Sequence, residues 1–400
     1  MGKDLPAAAG GIPVRTEKLY YAHQYIDESD IAAVESVLRS DFLTCGPAID
    51  GLEEKLCRIT GAEHAAVCTN GTAALHMACM AIGLQPGDEV IVTPLTFAAS
   101  ANCVLYCNAK PVFSDVDPET YLLDPSKIEE KINSHTKAVI TVDYGGQASP
   151  LPELRDICRR HGLKLIEDAA HSIGTSYRGL GNVGSIADIT TFSFHAVKVV
   201  TGGEGGAVTT NDPELFQKMA LYRTHAITRD PSLMENEPEG PWYYEQVGLS
   251  MNYRMTDIQA ALISGQLDKL ELFKERRQKI CSRYDEAFSR IPGIGLQKVI
   301  PESDTARHLY VIRIKEGAFG IDRKGFFDAL SKENIIPNVH YIPVYLHPWY
   351  RAHGYSRGLC PVAEKIYDEM ITLPLFYSMT DEDVRDVIRA VSRIAEYYVK

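Results

Sequence analysis

The stretch FSFHAVKVVTGGEGGAV, residues 192–208, places one lysine, Lys198, inside an apolar run and follows it with glycines at 202, 203, 205 and 206 around Glu204. A lysine in such company either snorkels to the surface from an ordinary strand end or is held where its amine is used. The glycines let the chain bend close to whatever the lysine touches, or they form a plain glycine-rich turn. The rest of the chain has to decide between these readings.

Working outward, short apolar runs alternate with helical stretches from about residue 65 to 210. In order they are AAVCT, a helix from Thr72, EVIVT, a helix near Ala98, KPVFSDV, KAVITVDY, a helix near Leu151, KLIED, ITTFSF and GAVTT. This alternation predicts an α/β fold with a mostly parallel sheet covered by helices on both faces, where ligands bind at the carboxyl ends of strands. Beyond it, Leu267, Leu270, Ile280, Tyr284 and Phe288 recur at helical spacing among many charges, as a long bridging helix would require. The chain therefore divides into a large domain over residues 1–265, with an N-terminal arm, and a small α+β domain over 266–400. Strands are expected there near LYVIRI and IIPNVHYI, and helices near Phe326 and Asp381.

The 400 residues carry 53 acidic and 41 basic side chains, a net charge of -12 without long single-sign runs. That balance argues against nucleic acid or an anionic membrane as the main partner and favours small molecules. The nine cysteines form no CxxC pair, and their odd count suits reduced thiols and a cytoplasmic location. The N-terminus lacks a signal-peptide core. The longest uncharged run, residues 91–109, is broken by Pro94 and polar side chains, and reads as strand, loop and helix in a soluble core, not as a membrane span.

Three local patterns carry chemistry. In CTNGTAAL, a strand ends at Cys68, Asn70-Gly71 turns, and Thr72 opens an apolar helix whose free N–H groups and dipole suit a phosphate, although simple N-capping by Thr72 fits equally. LKLIEDAAHSIG puts Glu167, Asp168 and His171 at a strand end, where a buried carboxylate needs a partner. Strand ends at Asp168 and near Lys198 converge if their strands are neighbours. A phosphate site, an acid and an amine are the parts needed to hold pyridoxal phosphate, with Lys198 bonded to the cofactor, Asp168 keeping its pyridine nitrogen protonated and Thr72 anchoring the phosphate. GLGNVG, residues 179–184, fits GxGxxG literally, but a strand pattern follows it, so it reads as a surface hairpin or loop.

NGTAALHMA, TPLTFAASAN, EDAAHSIG, TFSFHAVKVVTGGEGG and NYRMTDIQAAL, in this order, resemble the motifs of the DegT/DnrJ/EryC1/StrS sugar aminotransferases over nearly the whole chain. The resemblance implies a fold type I, aspartate-aminotransferase-like homodimer with pyridoxal phosphate at the subunit interface and a keto-sugar nucleotide as amino acceptor. It assigns Lys198 as the Schiff-base lysine, Asp168 as the pyridine partner, and Thr72, Ala73 and Ser193 to the phosphate. Phe97 becomes the aromatic on the cofactor ring, His171 the neighbour of the ring oxygen, and Asn252 a phosphate ligand from the other subunit. Core packing or capping is the plainer reading of each. Ala196, Gly202 and Cys45 depart from residues common in relatives, without removing a nameable chemical group.

SDFLTCGP, THAITRDPSLM, EGPWYYEQV and NVHYIPVYLHPWY are similar to segments of the C4-aminotransferases of pseudaminic acid biosynthesis. That likeness implies L-glutamate as donor and a UDP-linked 4-keto-6-deoxy-N-acetylhexosamine as acceptor. His340, Tyr341, Tyr345 and the aromatic LHPWY suit the lining of a sugar and uridine pocket, and packing in the small domain explains them about as well. Alternatives are another nucleotide sugar, such as UDP-4-keto-arabinose or GDP-4-keto-6-deoxymannose, and a non-catalytic sensor. Intact Lys198 and Asp168 argue against the sensor.

Overall fold

The structure, a computed structural model, describes residues 5–400. Its centre is a seven-stranded sheet of β1 (His64–Cys68), β2 (Glu89–Val92), β3 (Lys110–Phe113), β4 (Thr136–Val142), β5 (Lys164–Asp168), β6 (Ile189–Ser193) and β7 (Gly206–Thr210). The spatial order is β1-β7-β6-β5-β4-β2-β3, and β7 alone runs antiparallel to its neighbours. Every strand expected between residues 65 and 210 is present.

Burial on both faces explains why these strands read as unbroken apolar runs. Val90, Val92, Ile140 and Ile166 pack into one core, while Ile91, Val139 and Leu165, one residue out of phase, pack into another. Helix α1 (Gly71–Ala81) covers the first face and is buried along almost its whole length, and α2 (Ala99–Tyr106) packs against it. On the second face lie α3 (Leu151–His161), stopped by Gly162 in the left-handed conformation, and α4 (Asp257–Leu267), opened by a Thr256–Gln259 capping box.

The bridging segment forms two helices: α4 ends at Leu267, and α5 (Leu270–Phe288) begins after a break at Asp268–Lys269. Leu270 and Phe273 of α5 join the large-domain core, and Ile280, Cys281, Tyr284 and Phe288 join the small-domain core. That second core is a three-stranded antiparallel sheet of β8 (Ile294–Leu296), β9 (Tyr310–Ile314) and β10 (Met370–Leu373), covered by α5 and by α6 (Asp381–Tyr398). LYVIRI supplies β9. IIPNVHYI forms a strand only at Ile335–Ile336, because Pro337 brings no N–H to a ladder; Asn338 then makes a single bridge to Thr372 of β10 before the chain turns into the loop lining the site. GLGNVG lies on the expected hairpin, with Tyr177 opposite Gly181.

The N-terminal arm, whose residues 1–4 lie outside the described residues, packs along the elements of the second core before Tyr21 reaches the pocket. Leu19–Tyr20 pairs in parallel with Ile335–Ile336, and Leu19 sits in the small-domain core. Buried Glu333 accepts the N–H groups of Ala7 and Val14 at 2.9 and 3.0 Å while ion-paired to buried Arg393, which also donates to the Ile12 carbonyl. Removing one partner of a buried pair leaves the other charge uncompensated. Glu333→Ala is therefore expected to lower the unfolding free energy by about 3 to 5 kcal/mol and to release the arm to proteases. Urea denaturation and limited proteolysis measure both effects, and an unchanged midpoint with a protected arm would place the anchor elsewhere.

Candidate active site

The turn after β1 is built by Asn70. Its side chain accepts the N–H of Ala73 at 2.8 Å and its carbonyl accepts that of Ala74 at 3.1 Å, so Asn70, not Thr72, is the helix cap. Two first-turn donors are thus satisfied internally, and those of Gly71 and Thr72 stay without an intrahelical acceptor at the edge of a pocket of about 470 Å³. Tight approach fixes this turn. A Cβ on Gly71 would meet the Ser193 side chain at 2.9 Å, and one on Gly206 would meet the Asn70 carbonyl at 2.3 Å. Gly206 pairs with both Cys68 and Ser193, so the strand ends carrying Asn70 and Ser193 are locked side by side.

Asp168 ends β5, in register with Thr191 of β6, and this adjacency brings the acid and the lysine loop together. Asp168 is buried; its carboxylate accepts the Ser100 hydroxyl at 2.6 Å and the Ala170 N–H at 3.1 Å. Burial raises its pKa, against those hydrogen bonds and the charge of Lys198. Lys198 lies on the pocket wall, and among the described residues its Nζ forms no ion pair at contact distance. Burial lowers its pKa to about 8, the charge of Asp168 pulling the other way. An amine of this kind is unprotonated far more often than a surface lysine.

His171 closes the pocket. Its Nε2 meets the Tyr341 hydroxyl at 3.0 Å, its ring stacks on Tyr341, and its Nδ1 is buried without a partner. Burial first, then the charge of Lys198, holds it neutral well below the usual histidine range; burial likewise brings His340 down to about 4. Phe97 is 63% exposed, with its ring centroid 6.4 Å from that of Tyr341.

One pocket thus gathers Lys198, Asp168, His171, Thr72, Phe97, Ser193, His340 and Tyr341. Ala73 is buried beneath it with its N–H already taken by Asn70. Asn252 is exposed outside the pocket, although the carbonyl of the next residue, Tyr253, accepts the Thr69 N–H just before α1. Tyr345 does not reach the site: it is fully buried, packs on Phe113 and donates to Glu364 at 2.6 Å. Sequence reasoning missed Ser100, Tyr21 and His308. Ser100 lies within TPLTFAASAN and was visible as a hydroxyl near a helix start, whereas Tyr21 and His308 come from distant segments with no local signal. Beside this pocket, sharing Thr96, Phe97 and Tyr341 with it, runs a groove of about 690 Å³ walled by Tyr106, Trp349 and Tyr350.

A phosphate fits the Gly71–Thr72 donors with Ser193, a protonated pyridine nitrogen fits Asp168, and an aldehyde fits a low-pKa lysine. The residues present suit pyridoxal phosphate. The model of the DegT/DnrJ/EryC1/StrS aminotransferase family matches residues 24–392. The chain belongs to this family. It is 39% identical to the spore coat polysaccharide biosynthesis protein SpsC of Bacillus subtilis, over 96% of this chain and 98% of that protein. Among solved structures it is similar to Helicobacter pylori PseC, an aminotransferase involved in the biosynthesis of pseudoaminic acid, with a TM-score of 0.88 and 30% identity over 96% of this chain and all of that one. Spr1654 of Streptococcus pneumoniae in its PLP form superimposes equally well, with a TM-score of 0.88 and 30% identity over 96% and 100% of the two chains. The family uses pyridoxal phosphate, and the fold is that of the PLP-dependent aminotransferases.

Only the unprotonated amine attacks an aldehyde, and burial moves the loss of the proton downward. Capture of pyridoxal phosphate by the cofactor-free protein is therefore expected to speed up through about pH 8 and then level off. Stopped-flow absorbance across pH measures this, and a rate still climbing toward the ordinary lysine value of 10.5 would contradict a buried Lys198 amine.

Proposed function

We propose that this sugar aminotransferase moves the amino group of L-glutamate to C4 of a UDP-linked 2-acetamido-4-keto-2,6-dideoxy-L-sugar, giving UDP-4-amino-4,6-dideoxy-N-acetyl-β-L-altrosamine. The observation that carries the chemistry is the convergence of Lys198, Asp168 and the α1 start on one pocket. The likeness to PseC supports the substrate. Greater identity to SpsC favours, as a second reading, another 4-keto sugar nucleotide destined for a surface polysaccharide. The proposed location is the cytoplasm; among the described residues no helix is long and apolar enough to cross a membrane.

Bound pyridoxal phosphate supplies an electron sink for the carbanion formed when a substrate carbon loses its proton. Lys198 Nζ takes the proton from Cα of glutamate and, in the second half-reaction, delivers one to C4 of the sugar. Asp168, steadied by Ser100 and the Ala170 N–H, holds the proton on the pyridine nitrogen. The Gly71 and Thr72 N–H groups and Ser193 hold the phosphate, with Asn252 of the partner subunit completing the cradle. His171 stays neutral beside the ring oxygen. His340 and Tyr341 lie against the sugar, and the aromatic groove beyond Tyr341 takes the uridine by stacking, since no lysine or arginine lines it.

A panel of keto-sugar nucleotides offered with L-glutamate tests the substrate, with the C4 configuration read from NMR coupling constants. Highest kcat/KM is expected for the 4-keto-L-arabino-configured UDP sugar. Preference for a GDP- or pentose-linked ketone would overturn that assignment and leave the family activity standing. Lys198→Ala is expected to abolish turnover and the absorbance of lysine-bound cofactor while retaining weak cofactor binding.

The homodimer with shared sites predicts complementation. Mixing inactive Lys198→Ala with inactive Asn252→Ala chains restores activity, because some mixed dimers carry one intact site. Verified heterodimers without recovery would rule out sharing.

A further inference from the structure

Glu167 and Asp168 are consecutive in β5 and point to opposite faces of the sheet. Asp168 reaches the pocket, and Glu167 is fully buried on the other side, opposite Thr141 of β4. One Glu167 oxygen, Oε2, accepts the Thr190 hydroxyl at 2.8 Å; the other, Oε1, is buried and makes no hydrogen bond. On the same face, two residues beyond Thr141 and meeting the same Ser149 hydroxyl that Thr141 meets, stands a second fully buried carboxyl, Asp143, just past the end of β4.

Asp143 has its own connections. Its carboxylate accepts the N–H and hydroxyl of Ser149 at 2.8 and 2.9 Å and the hydroxyl of Ser172 at 2.6 Å, while its N–H donates to the Asp168 carbonyl at 3.1 Å. It therefore grips the segment 168–172 at both ends, and that segment carries Asp168 and His171 into the pocket. Neither carboxyl has an arginine or lysine partner among the described residues. Two acceptors facing one another in such a place are compatible only if one holds a proton. Asp143, with three donors aimed at it, is the ionised member, and Glu167, with its orphan Oε1, is the acid. Burial, and then the negative charge of Asp143, pushes the Glu167 carboxyl well above the usual range.

We propose that Asp143 and Glu167 share one proton on the back of the sheet and act as a positioning pair for Asp168 and His171, with Glu167 Oε1–H donating to the Asp143 carboxylate. The positioning role rests on the assignment of Asp168 and His171 to the cofactor. The pair touches neither cofactor nor substrate.

Infrared difference spectra and cofactor titrations of the full chain test it. The cofactor-free protein at neutral pH is expected to show the carbonyl stretch of a protonated carboxyl, which Glu167→Gln removes. Glu167→Gln keeps a donor toward Asp143, so its affinity for pyridoxal phosphate stays within about twofold of the parent. Glu167→Leu keeps the volume and loses the donor, leaving Asp143 unpaired; cofactor affinity falls about tenfold and the absorption maximum of the bound cofactor shifts. Absence of the band, or Glu167→Gln as damaging as Glu167→Leu, overturns the shared proton. A Glu167→Leu protein with a lowered melting temperature but parental affinity and spectrum reduces the pair to a structural role and overturns positioning. The band and Glu167→Gln decide the matter even where Glu167→Leu does not fold. A parent protein that shows the band yet binds no pyridoxal phosphate overturns the cofactor assignment, and positioning with it, while the shared proton stands.

Discussion

Lys198 and Asp168 attract one another at a site where burial disfavours either charge, and the arrangement of the large domain follows from keeping them there. Burial raises the pKa of Asp168 and lowers that of Lys198, and each charge partly offsets the penalty of the other. The result is an amine titrating near 8 and a carboxylate held by Ser100 and the Ala170 N–H. Such a pair needs two neighbouring strand ends, which the parallel register of Asp168 with Thr191 supplies. It also needs walls around it, which His171, Tyr341 and Phe97 provide from three different segments.

Adjacent positions in β5 divide the labour between the two faces of the sheet. Asp168 faces the chemistry and Glu167 faces the interior, so a one-residue slip would exchange them and bring both to the wrong environment. The apolar residues flanking them prevent this. Ile166 fills one core and Leu165 the other, and exchanging them would force side chains of different shape into two close-packed cores. Register here is therefore specified by packing several residues away from the reacting atoms.

What could be read from the chain beforehand divides along the same line. The strands of the large sheet were legible because burial on both faces leaves continuous apolar runs ended by turn residues. The pocket was legible because strand ends are where such sheets bind ligands, and Asp168, Thr72 and Lys198 stand there. Tertiary facts were not legible. Tyr341 and Tyr345 lie in one aromatic loop, yet the first lines the site and the second donates to Glu364, and irregular backbone has no period that separates them. The arm carries no pattern of its own, so its course along the second core depended on Glu333 and Arg393, more than 300 residues further on. Asn70 displaced Thr72 as cap because the turn starts one residue earlier than the apolar run suggests.

The composition of the groove bears on how the proposed substrate is selected. Its walls are aromatic, with Thr96, Asn102 and His347 as polar side chains; Asn102 accepts the Tyr350 hydroxyl at 2.7 Å, which leaves its amide hydrogens to donate. Stacking alone separates bases weakly, because every base has a π face. Discrimination by hydrogen bonding is far sharper, since a mismatched partner leaves a buried polar group unpaired. On the proposed reading the rings therefore supply affinity for the nucleoside and Asn102 a limited choice among bases. The choice of sugar is left to which carbonyl carbon comes within reach of Lys198 Nζ. A regiochemical rule of that kind follows from the position of one amine, held where β5 and β6 end side by side.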